Sequence, residues 1–128
     1  MQEIDVTGIY TIGNSLTATP FGDRVSIGMY NMDLHSIKGC IYPPFAQSTP
    51  LPFFIPLRAF SNKDISNLIA TGRSISQKFF VSSATRTHAT ELAMGSASMM
   101  VAIHMMNNKI PSLWSLINCP ACIRQLQA

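Results

Sequence analysis

Charge is what this sequence has least of. Only 12% of its 128 residues are Asp, Glu, Lys or Arg, about half the share usual in soluble proteins. Apolar residues make up 47%. A domain of this size can bury a real core, yet so little charge leaves apolar area at the surface. That implies elements buried on both faces, or a face covered by another domain or subunit, and we expect the latter. The nine basic residues are scattered singly between Arg24 and Arg124, with no two adjacent. Nucleic-acid binding needs a clustered basic footprint, so no such partner is expected.

Long apolar runs are missing as well. The stretch Leu51-Pro52-Phe53-Phe54-Ile55-Pro56-Leu57 falls far short of the roughly 20 residues that span a bilayer. The opening Met1-Gln2-Glu3-Ile4-Asp5 carries acids where an export signal has bases. A soluble, cytoplasmic protein without membrane contact is expected. Cysteine is limited to Cys40, Cys119 and Cys122, an odd count that argues against a disulfide framework. Cys119-Pro120-Ala121-Cys122 is a C-x-x-C, a spacing that supports redox chemistry when it opens a helix after a strand, and no such strand precedes it. With Cys40 and distant histidines it makes a poor zinc site, so no metal is expected. Glycine is sparse too: the seven present never form G-x-G-x-x-G, which leaves the chain without its own dinucleotide cradle.

What remains reads as one unit, residues 1–128, without repeats or a linker. Residues 3–12 read as a strand and 14–22 as a loop. Residues 24–35 alternate well, with Val25, Ile27, Met29, Met32 and Leu34 apolar. Their phase slips near Met29-Tyr30, which predicts a bulge there. Five prolines within residues 40–56 predict an extended crossing loop. Residues 53–57 read as a short edge strand, 61–64 as a turn, and 67–72 as a buried strand ended by Gly72. Helix formers dominate residues 83–106, with Leu92, Met99, Ile103 and Met106 at helical spacing. Gly95 within that helix predicts close contact with a neighbouring backbone or ligand. Short helices are expected over 112–118 and 121–127, separated by Pro120.

A strand ending in Gly72-Arg73, then a helix opening near Ser83-Ala84-Thr85-Arg86, brings free amides and a positive dipole end beside cationic side chains. This suits an anionic or electron-rich ligand. The plain alternative is that Arg73 and Arg86 are surface charges and Gly72 merely ends a strand. Asp33 and His35, two apart on a strand, share a face, where the carboxylate would orient the imidazole. They either handle a proton or secure a strand end. His88 and Glu91 stand one turn apart at the expected helix start.

Four ordered blocks sharpen this reading. Residues 22–35, with Asp33-Leu34-His35, resemble the strand bearing a D-x-H element in a family of FAD-dependent oxidoreductases. Phe54-Ile55-Pro56-Leu57-Arg58-Ala59-Phe60, then Asn67-Leu68-Ile69-Ala70-Thr71-Gly72-Arg73, resemble its I-P-x-R-A-L and N-L-L-V-A-G-R segments. Ser83-Ala84-Thr85-Arg86-Thr87-His88 with Glu91 is similar to its closing S-A-T-R-x-H-P-x-E motif. Ala89 stands where the family often has proline, and Met99-Met100 replace small residues.

The resemblance implies an α+β fold: strands from a substrate-domain sheet, one strand of an FAD/NAD(P)-binding-type sheet, and a long helix after it. It implies FAD as cofactor, with Gly72, Arg73, Ser83 and Arg86 beside the flavin and Asp33 and His35 as catalytic candidates acting on an organic small molecule. Lacking the dinucleotide segment, the chain reads as the C-terminal portion of such an enzyme, inactive alone and binding FAD weakly or not at all. It would need a nucleotide-binding half or a homo-oligomeric partner. The alternative is a non-enzymatic interaction module or homodimer built on the inherited fragment.

Overall fold

Alternation around Val25 and Ile27 produces strand β1, Arg24–Gly28, which pairs antiparallel with β2, Phe53–Pro56. The computed structural model describes residues 18–31, 33–35, 38–41, 52–62 and 64–128. The strand expected over 3–12, and most of the proline-rich crossing segment, lie outside the described residues. β1 is shorter than the alternation suggested. It stops at Gly28, opposite Phe53, because the partner strand is preceded by Pro52, which has no N–H to extend the ladder. The irregularity in the pairing falls between Arg24 and Ser26 rather than near Met29.

Gly28 and Phe53 explain how this two-stranded sheet meets the helices. A Cβ at Gly28 would come within 2.5 Å of the Phe53 ring and 3.2 Å of the Thr90 side chain. Glycine there leaves room for both a fully buried ring lying over the strand and the first turn of the helix that packs beside it.

After β2 the chain tightens into a 3-10 turn, Leu57–Phe60, which buries Leu57, Ala59 and Phe60 and turns Arg58 outward. Arg58 reaches back to Asp23. Its Nη2 lies 2.6 Å from Oδ1, its Nε 3.0 Å from Oδ2, and its backbone N–H donates to Oδ2 at 3.1 Å. Asp23 is buried, while its partner's side chain is 57% exposed.

Residues 67–72, expected as a buried strand, make one isolated bridge among the described residues, Ile69 with Ser61. The backbone has one neighbour to pair with: Ala70 N–H donates to the Phe60 carbonyl and Ser76 N–H to that of Ala59, both at 2.8 Å. Leu68 stays exposed. Asn62 holds the preceding turn, its Oδ1 accepting from the Asp64 and Ile65 amides.

A second 3-10 turn, Gly72–Ser74, leads to helix α1, Phe79–Thr85, and α2, His88–Asn107. The single helix expected from residue 83 is therefore two, broken at Arg86-Thr87, where Thr87 is extended. Threonine hydroxyls at the break bond locally: Thr85 Oγ1 to Gln77 Oε1 and the Val81 carbonyl, Thr87 Oγ1 to Thr90 Oγ1. Such bonds compete with a continuous helix.

Inside α2 the buried stripe is Thr90, Met94, Ala97 and Val101. Leu92, Met99, Ile103 and Met106, which stand at helical spacing, are 73%, 63%, 49% and 77% exposed. Apolar residues surround this helix, so period alone did not select its inner face. The smaller face won because it seats against the thin sheet. Gly95 is exposed, and nothing lies within 4 Å of where its Cβ would stand, so the expected close contact is not made within the chain.

The chain closes with α3, Leu113–Ile117, and α4, Pro120–Gln127. Ser112 caps α3 through its hydroxyl, and Pro120 is the first residue of α4 rather than a spacer. Gln127 fastens α4 to the sheet by donating to the Gly22 and Arg24 carbonyls. Cys119 and Cys122 are joined as a disulfide, against the expectation of unpaired cysteines; Cys40 is free and exposed. The architecture is α+β, as expected, with helices predominating. No helix among the described residues is long and apolar enough to cross a membrane.

Two measurements test this packing. Gly28→Ala forces the Phe53 ring to shift within a filled core, and should destabilise by about 1–3 kcal/mol in urea unfolding. Gly22→Ala, with open space around it, should stay within about 0.5 kcal/mol of the parent. Equal effects would disprove the packing account.

The Asp23–Arg58 pair predicts a pH dependence. Burial opposes the Asp23 charge, but hydrogen bonds from the Arg58 side chain and amide, together with its positive charge, outweigh it and hold the carboxyl below its ordinary value. A depressed folded-state value means that this stabilisation is complete above the unfolded carboxylate range and disappears as pH falls through the folded value. Arg58→Ala should therefore cost about 1–3 kcal/mol at pH 7 and clearly less in strong acid. A penalty independent of pH would show that the ion pair is not its source.

Candidate functional site

The break between α1 and α2 collects most of the residues singled out in the sequence. Asp33 lies five residues beyond the end of β1, and its N–H donates to the Ser83 carbonyl at 3.4 Å. Arg86, at the C-terminal end of α1, donates through Nη2 to the Asp33 carbonyl at 2.6 Å and approaches Asp33 Oδ2 at 3.3 Å. His35 Nε2 stands 3.7 Å from that same oxygen. Four candidates from segments fifty residues apart thus form one cluster. They meet beyond the strand end, not along a strand.

Ser83 takes part through its backbone. Its side chain is buried, and the hydroxyl donates to the Phe80 carbonyl at 2.6 Å. Residues 83–85 lie in the second half of α1, and the Arg86 amide already donates to the Ser82 carbonyl. The free helix start expected here belongs instead to α2, at His88. Its positive dipole end still points to this junction.

Gly72 and Arg73 flank the junction from the other turn, which packs against both α1 and α2. Gly72 has φ of +60°, a left-handed conformation that glycine adopts without strain, and nothing lies within 4 Å of a Cβ placed there. Arg73 Nε is 3.3 Å from Glu91 Oε1, in the first turn of α2. Glu91 pairs with this arginine rather than with His88. An acid in a helix's first turn is favoured by the dipole, and the pairing ties the glycine turn to the helix start.

The side chains of this cluster are open to solvent: His35 is 78%, Arg73 73%, Asp33 55% and Arg86 33% exposed. Exposed pairs of this kind add at most about 1 kcal/mol to stability. The cluster gathers two guanidinium groups, a carboxylate–imidazole pair, a helix start and a glycine turn. Three surface clefts, of about 480, 440 and 320 Å³, lie elsewhere, between the sheet, α2 and α4, beside α3 and α4, and along the C-terminal half of α2.

The Arg73–Glu91 link and the buried Asp23 anchor escaped sequence reading. Both join residues with no local spacing rule, separated by 18 and 35 positions. The only signal for either was an acid or base standing alone in an apolar chain.

No curated protein and no solved structure matches the chain significantly. A family model described as FAD dependent oxidoreductase matches residues 3–127, which include every element described above. The chain therefore belongs to the FAD-dependent oxidoreductase family.

Proposed function

We propose that this chain is the C-terminal part of a flavin-dependent oxidoreductase, supplying the ring-facing side of the flavin pocket while a separate unit holds the dinucleotide. The observation that carries this reading is the meeting of Asp33, His35, Ser83 and Arg86 at the start of α2, with the Gly72-Arg73 turn beside it. Family membership gives that meeting its chemical sense. The residues suit the ring more than the pyrophosphate, since the sequence contains no G-x-G-x-x-G.

FAD, when bound, supplies the two-electron chemistry, and protein groups position and tune. Gly72 allows close approach of a planar group. Arg73 and Arg86, with the α2 dipole, favour negative charge on that group. Helix-end electrostatics of this kind are worth about 0.3–1 kcal/mol at exposed sites, so they tune a cofactor without retaining one. Arg86 also holds the Asp33 carbonyl, which keeps the Asp33 carboxylate against His35. The imidazole then exchanges a proton with an organic small-molecule substrate.

The exposed face of α2, with Leu92, Met99, Ile103 and Met106, favours a second reading, a non-enzymatic interaction module or homodimer. Methionine-rich surfaces adapt to irregular partners. A clean monomer in sedimentation, with no uptake of apolar dyes, would eliminate this reading.

The isolated chain should purify colourless and retain no stoichiometric FAD; yellow protein with one flavin per chain would overturn the division of labour. In a reconstituted assembly that does hold FAD, His35→Gln should slow flavin reduction by about 100-fold or more while FAD affinity stays near the parent's. Unchanged reduction would remove His35 from proton transfer.

A further inference from the structure

Apart from the junction described above, the chain holds a second group of reactive side chains. Cys119 and Cys122 form a disulfide across the first turn of α4, at the Arg24 end of β1, whereas the Asp33–Arg86 cluster lies past its Gly28 end. We infer that this pair is a thiol–disulfide exchange site that reacts with small carboxylate-bearing thiols, and that Cys119 is the sulfur they attack.

The two sulfurs are unequal. Cys119 is the N-cap residue, and its Sγ accepts the Cys122 backbone N–H at 3.3 Å. Pro120, next in line, has no N–H to offer. On reduction, that amide and the positive end of the helix dipole favour negative charge on the Cys119 sulfur. Cys122 packs against the apolar core with Ile123 and Leu126. This apolar contact suits the resolving partner. Both cysteines are half-buried.

Beside Pro120, the residue after Cys119, lies a cleft of about 440 Å³ lined also by Ile117, Ile123 and Arg124, with Asp23 and Arg58 behind. Two guanidinium groups face one carboxylate in that cleft, which favours an anionic reactant.

The exchange balances without any further reactant. A thiolate RS⁻ attacks Cys119 Sγ, forming RS–S–Cys119 as the Cys119–Cys122 bond breaks, and the Cys122 sulfur leaves with the bonding pair and takes a proton. A second RS⁻ attacks the sulfur of R, forming RSSR and releasing the Cys119 thiolate. Two electrons pass to the protein, with one proton taken up at Cys122. The reverse sequence oxidises it.

The test uses the full chain with Cys40→Ser, so that only this pair reports. Equilibrated in glutathione buffers and then alkylated, the pair should titrate as a single two-electron couple, partly reduced within the series. A bond that stays oxidised in excess reduced glutathione, or a pair that stays reduced in excess oxidised glutathione, would overturn the proposal. In single variants, Cys122→Ser should form the mixed disulfide with oxidised glutathione about 10-fold faster than Cys119→Ser. Equal or reversed rates would refute Cys119 as the attacked sulfur. Arg124→Gln should slow reduction by glutathione about 2–5-fold and leave the cationic thiol cysteamine unaffected; equal slowing of both would remove the preference for anions. Flavin plays no part in these measurements, so their failure and that of the flavin reading are separable.

Discussion

The fold turns on one point, Gly28, where the Phe53 ring lies over the glycine and Thr90, in the first turn of α2, comes up beside it. Two strands of five and four residues cannot stand alone in water. Here they gain a helix against one face because glycine leaves room for an aromatic side chain at the crossing. The same contact sets the functional geometry. Asp33 leaves the sheet just past Gly28, and Arg86 enters just before α2, so fixing strand to helix brings the two within hydrogen-bond distance. The Asp23–Arg58 pair does similar work at the strand's other end, where α4 also ties in through Gln127.

Much of this was legible in local chemistry. Prolines on both sides of residues 53–55 announced a strand too short to extend, and Pro120 with Ser112 marked the two closing helices. Glycine at position 72 ends the segment 67–72, as read, and there it takes a left-handed turn that suits glycine. Ordered blocks of resemblance located Asp33, His35, Ser83 and Arg86, and the structure brings all four to one place.

What failed was reading that depended on partners. The inner face of α2 could not be chosen by period, because Leu92 and Met99 are as apolar as Met94 and Val101, and the sheet decides between them. Asn67-Leu68-Ile69-Ala70 looks like a buried strand by composition, yet with only the Leu57–Phe60 turn beside it the segment forms a single bridge. The helix break at Thr87 falls among Thr85, Thr87 and Thr90, whose hydroxyls bond locally, and the longer run of helix formers beyond masked it. The cysteine pair was discounted for want of a preceding strand, although a short helix and a proline start serve to place it. In each case the missing term was tertiary, which local propensity does not contain.

The account divides the cofactor between a ring side, offered by this chain, and a nucleotide side, held elsewhere. Amide NMR of the labelled chain titrated separately with lumiflavin and with ADP measures that division directly. The account predicts that lumiflavin shifts the amides of Gly72, Arg73, Asp33 and Arg86, weakly but together, and that ADP leaves them still. Shifts at those amides from ADP alone, or a lumiflavin response confined to another face, would contradict it.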